Sequence, residues 1–120
     1  MKESLQSNFV IGNLAKDLMI ETFRICGKKQ DKKPRFPIVL QRYVDLMCET
    51  SINIHKSVCL ANSSRDSGKR KSYIADSKGL CVHLSHLIDI AFSGRWISEK
   101  QHDKWLGLVN AIYWKLLYWQ

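Results

Sequence analysis

His83 and His86 stand three residues apart in a helical stretch, a spacing that places two imidazoles on one helix face and would let them share a metal ion. Di-metal bundles built on such spacing need a Glu-x-x-His pair on each of two helices and further inward glutamates. Only Glu21 and Glu49 lie in helical segments ahead of Glu99, so no metal is expected, and His55 and His102 add nothing at ligand spacing. Cys26, Cys48, Cys59 and Cys81 each stand singly in an apolar segment, without a Cys-x-x-Cys pair. They read as reduced, buried thiols of the cytosol rather than as a disulfide framework or a metal set. Paired carboxylates, a serine or cysteine nucleophile signature and a glycine-rich phosphate loop are absent. The expectation is a protein that is not an enzyme, with no catalytic residues and no cofactor.

The chemistry that remains is charge. The chain has 19 Lys and Arg against 11 Asp and Glu, a formal charge of +8. Lys28, Lys29, Lys32, Lys33 and Arg35 crowd one short segment with only Asp31 opposing them, and Arg65, Lys69, Arg70 and Lys71 crowd a second with Asp66. These two segments account for seven of the eight net charges. Ordinary soluble surfaces intersperse the two signs, so segregated cations point to phosphate contact that is independent of base sequence and weakened by salt. Solvated basic loops are the alternative. Recognition-helix, zinc-finger and aromatic β-platform signatures are missing, which leaves base-specific readout unsupported.

Aromatic residues form a further candidate surface. Trp105, Trp114 and Trp119 fall within fifteen residues of one another on a single helix, and they cannot all face one bundle interior. Trp114 with Leu117, Tyr113 or Tyr118 reads as an exposed strip of the kind that becomes a protein interface. Roofing of a small core, and stacking against bases, are the other readings.

Four helical segments must position these groups. Ile11, Leu14, Leu18, Thr22 and Ile25 repeat at three-then-four spacing and define a first helix over about 8–26, stopped by Gly27. Pro34 and Pro37 forbid helix through the first basic segment, and Pro37 is placed to open a second helix over about 37–61. That helix carries Leu40, Tyr43, Met47, Thr50, Ile54 and Val58 on one side. The polar run from Asn62 to Gly68 supplies turn chemistry. A third helix is expected over about 71–93, with Ile74, Ser77, Leu80, Leu84, Leu87, Ile88 and Ala91 as its stripe and Gly94 as its stop. Ser98 and Gln101 have the spacing of a capping box, opening a fourth helix over about 99–119 through Trp105, Leu108, Val109, Ile112, Leu116 and Trp119. No period-two alternation competes. The 120 residues therefore predict one all-α domain, an antiparallel up-down-up-down four-helix bundle, with the two basic segments at opposite poles roughly 30 Å apart. The polar start at Met1–Gln6 and the lack of a long apolar run predict neither signal peptide nor membrane span, hence a cytoplasmic protein.

This layout resembles the accessory variability proteins (Avd) of diversity-generating retroelements, within the superfamily of small four-helix proteins encoded in intervening sequences of ribosomal RNA genes. The residues that carry the likeness are Pro34-Arg35-Phe36-Pro37 ahead of the second helix, and Ile97-Ser-Glu-Lys-Gln-His-Asp-Lys-Trp105 leading into Ile112-Tyr-Trp-Lys-Leu-Leu-Tyr-Trp119. The resemblance implies a ring-shaped homopentamer that binds the element's reverse transcriptase. It further implies contact with RNA or DNA through the basic positions during mutagenic cDNA synthesis and retrohoming. The intervening-sequence relatives imply the alternative, an oligomeric scaffold with protein partners only. The chain departs from the family where members commonly carry glycines and it has Tyr113, Leu117 and Tyr118, and at Ile38, where a basic residue is common.

Overall fold

The computed structural model describes residues 9–27, 29, 30 and 33–119, with backbone alone at 29, 30, 33 and 34. Four helices dominate it: α1 (Val10–Gly27), α2 (Gln41–Ser63), α3 (Ser67–Ser93) and α4 (Glu99–Leu117). Each helix packs on its sequence neighbour and α1 also packs on α4, which closes an up-down-up-down bundle. No helix among the described residues is long and apolar enough to cross a membrane.

The expected stripes face the interior. Leu18, Met47, Ile54, Val58, Leu84, Ile88, Trp105 and Ile112 are all fully buried, so each helix contributes large side chains to one core. Several expected stripe members, Ile11, Leu14, Leu40, Tyr43, Leu80, Leu108 and Trp119, are only half-buried, and Cys81 and Val109 take the inner positions beside Leu80 and Leu108. Polar groups in this core are satisfied. The Trp105 indole N–H donates to Thr22 Oγ1 (2.9 Å), and the Thr22 hydroxyl donates in turn to the Leu18 carbonyl (2.8 Å). That chain of bonds joins α1 to α4 at mid-bundle without leaving a donor unpaired.

Three local features differ from the sequence expectation. No strand was expected, yet Lys29–Gln30 (β1) pairs antiparallel with Lys33–Pro34 (β2), Lys29 opposite Pro34 and Gln30 opposite Lys33. Two residue pairs are too few to leave an alternating pattern, and Pro34 is tolerated because the ladder has only edges. The second helix opens with a single 3-10 turn, Ile38–Leu40, after which α2 begins. α3 starts at Ser67, four residues before the expected Lys71, because Asp66 caps it: the Asp66 carboxylate accepts from the Gly68 amide (3.0 Å). Lys69, Arg70 and Lys71 consequently sit in the opening turns of a helix rather than in a loop.

The α3–α4 turn keeps its glycine for another reason than the one expected. Gly94 has an ordinary negative φ (−77°), and the left-handed residue is Arg95 (φ 64°). A Cβ at Gly94 would lie 2.5 Å from the Trp96 ring, so close approach, not left-handed backbone, excludes a side chain there. The capping box of α4 forms as expected, with Ser98 Oγ accepting from the Gln101 amide (3.1 Å) and Gln101 Oε1 accepting from the Ser98 amide (2.9 Å).

Candidate nucleic-acid interface

The topology sends the two basic segments to opposite ends of a molecule 46 Å long. One end holds the α1–α2 connection with its β1–β2 ladder, together with the α3–α4 turn and Arg95. Lys28 and Lys32 lie outside the described residues, and so do the side chains of Lys29 and Lys33. Arg35, the fifth cation of this segment, is half-buried and engaged. Its Nε donates to the Ile25 carbonyl (3.2 Å) and its Nη1 to Gln101 Oε1 (3.2 Å). The structure thus makes Arg35 a pin between the end of α1 and the start of α4.

The other end holds Arg65, Lys69, Arg70 and Lys71 beside the start of α1 and the end of α4. Arg65, Lys69 and Lys71 are exposed. The Arg70 guanidinium donates to the Ser64 carbonyl (2.8 Å), which steadies the turn without neutralising the charge. Among the described residues no ion pair involves any of the four. Within the first turn of α3 no residue is acidic, but the Asp66 carboxylate that caps it occupies the Gly68 amide and offsets part of the positive dipole end. Cations at a helix start are unfavourable by a few tenths of a kcal/mol each, and a bound anion reverses that sign.

An open groove of about 600 Å³ lies at this same end, lined by Phe9, Val10, Trp114, Tyr118 and Trp119. Phe9 and Trp119 meet edge to face with ring centroids 6.2 Å apart. Of the aromatic strip expected on α4 and just beyond it, Trp114 (58% exposed) and Tyr118 (78%) stand out into solvent and Leu117 (39%) is partly covered. Tyr113 instead turns half-buried, with its ring edge on Trp114. The strip and the cation cluster share one pole, a juxtaposition that depends on the chain folding back and is invisible in sequence order.

The histidines and thiols behave less simply than their spacing suggests. His83 and His86 are exposed, and no cluster of three or more His, Cys, Asp or Glu among the described residues could hold a metal. His102, set aside on ligand spacing, bridges two carboxylates: Nε2 lies 2.9 Å from Asp89 and Nδ1 3.0 Å from Asp103. Its ring also stacks on Phe92 at 4.7 Å. The hydrogen bond to Asp89, and next that to Asp103, raise its pKa above the ordinary 6.5. Cys59 approaches His55 Nε2 at 3.6 Å on α2, but burial pushes its thiol up, away from the thiolate that nucleophilic work needs. Burial pushes Cys81 up to about 12.

Compared with known proteins, this chain matches no family model, no curated sequence and no solved structure.

Proposed function

We propose that this bundle is a non-catalytic nucleic-acid-binding protein whose basic poles hold the phosphates of RNA or cDNA. The observation that carries the reading is the cluster of Arg65, Lys69, Arg70 and Lys71, which no carboxylate pairs in a salt bridge among the described residues and which sits at the Asp66-capped start of α3. The likeness of Pro34–Pro37 and Ile97–Trp119 to accessory variability proteins supports a finer reading. In it the bundle is a partner of a reverse transcriptase in a diversity-generating retroelement, self-assembles as a ring, and needs no cofactor of its own. The groove of Trp114, Tyr118 and Trp119 is then the surface offered to the polymerase or to another copy of the chain.

The test is co-purification with the reverse transcriptase encoded beside the gene, joined to direct RNA binding by the purified protein. Charge reversal of Lys28, Lys29, Lys32 and Lys33 to Glu weakens RNA binding on this account, and light scattering gives the assembly. RNA affinity that survives the reversal and does not change with salt rejects it.

The same groove favours a second reading, a scaffold that meets proteins only. In that case Trp114→Ala and Tyr118→Ala abolish partner capture while RNA affinity is negligible in the unaltered protein.

A further inference from the structure

The open groove at the α3 pole combines exposed aromatic rings with cations. Trp114 and Tyr118 stand one helical turn apart, on α4 and just past its end, and both are largely exposed. Side chains at that spacing have Cβ atoms about 6 Å apart, comparable with the step between successive nucleotides of an extended single strand. The rings are braced from behind. Tyr113 lies at 82° to Trp114 with centroids 6.5 Å apart, and Phe9 meets the half-buried Trp119 edge to face.

Cations border this groove from two helices, and no carboxylate is among the residues that line it. Lys115 lines it from α4. Asn62 lines it from the end of α2, and Arg65 follows three residues later, a chain reach of at most about 11 Å. The bond from Arg70 to the Ser64 carbonyl draws a further guanidinium to the same turn. An apolar cleft edged by cations suits a polyanion that carries flat rings, which is the chemistry of a single-stranded nucleic acid. In a duplex the ring faces are hidden against one another.

We infer that the groove is a binding site for unpaired nucleobases: Trp114 and Tyr118 stack on bases of a single strand whose phosphates run past Lys115, Arg65 and Arg70. The inference rests on the phosphate-binding reading of this pole, and it gives the groove to nucleic acid in preference to a protein. Stacking asks only for a ring face, so every base is accepted. Cations alone favour the duplex, which carries twice the charge per length of a single strand. Preference for the single strand therefore separates the rings' contribution from that of the charge.

The experiment measures the affinity of the full chain for a single-stranded DNA of about 12 nucleotides, for the same sequence as a duplex, and for an equally long strand of abasic tetrahydrofuran units. The single strand is expected to bind roughly tenfold or more tighter than the abasic strand, the worth of at least one stacked base. Trp114→Ala with Tyr118→Ala removes that advantage and leaves abasic binding and the salt slope as they were. Trp114→Phe with Tyr118→Phe keeps most of it, and unchanged melts show both folds intact. Two results overturn the inference while the phosphate reading survives: an abasic strand bound as tightly as the base-bearing one, or an alanine double variant that loses no affinity. In the latter case a fall in mass by light scattering gives the groove to a second copy of the chain. Single-strand affinity that is flat with salt yet still needs the rings removes the phosphate reading and leaves the stacking, and failure to bind any probe rejects both.

Discussion

The guanidinium of Arg35 donates to the side-chain oxygen of Gln101, the same oxygen that accepts the Ser98 amide in the capping box of α4. One glutamine therefore both starts a helix and anchors the connection between two others. Arg35 also covers the Ile25 carbonyl near the end of α1, where no further helical amide is available. Arg35→Ala is expected to destabilise the bundle by about 1–2 kcal/mol through two lost hydrogen bonds. Lys69→Ala, exposed and unpaired, is expected to stay within about 0.5 kcal/mol of zero. Urea titrations of the two variants check the contrast.

A second prediction concerns the core bond between Trp105 and Thr22. Thr22→Val keeps the volume but removes the acceptor, leaving the buried indole N–H without a partner. The cost is expected to be about 1–3 kcal/mol in urea midpoint at unchanged slope. Ser77→Ala, by contrast, deletes a hydroxyl that only bonds its own helix at the Tyr73 carbonyl, and is expected to cost less.

The α3–α4 turn gives opposite signs at adjacent positions. Gly94→Ala drives a Cβ into the Trp96 ring, which Phe36 and Tyr43 hold at centroid distances of 6.0 and 6.2 Å. A loss of about 1–3 kcal/mol is expected. Arg95→Gly relieves a left-handed backbone at the next residue and is expected to add about 0.5–1 kcal/mol. Thermal melts of the two variants should move in opposite directions.

His102 makes stability depend on pH in a direction fixed by its partners. Both ring nitrogens face carboxylates, an arrangement that only the doubly protonated imidazolium can satisfy with two donors. The folded pKa is raised, so the stabilisation is complete below the unfolded value near 6.5 and is lost as pH climbs through the higher folded value. The melting temperature is expected to fall across that window in the unaltered protein. His102→Gln flattens the fall if the bridge to Asp89 and Asp103 causes it.

The helices were legible because their stripes are long and their caps are local. Trp105, Ile112 and Leu116 repeat at helical spacing, and Ser98–Gln101 needs only its own backbone to form. The early start of α3 was missed because an aspartate two residues before a glycine suits a turn as well as a helix cap. Among the basic residues, charge was legible and engagement was not. That Arg35 turns inward while Arg65, Lys69 and Lys71 stay exposed depends on which carbonyls and side chains the tertiary fold brings near. The same holds for His102 with Asp89, a pair joined only by packing between helices.

The account stands on cations at the α3 pole that are free to meet phosphates, and the salt dependence of RNA affinity measures this most directly. Each phosphate contact with a single strand contributes about 0.7 to the slope of log affinity against log salt. The unaltered protein is expected to show a steep slope, and the triple variant Arg65→Glu, Lys69→Glu, Lys71→Glu to lose about 2 from it while its melt is unchanged. A slope that is flat in the unaltered protein, or equal in the two, would contradict the phosphate-binding role.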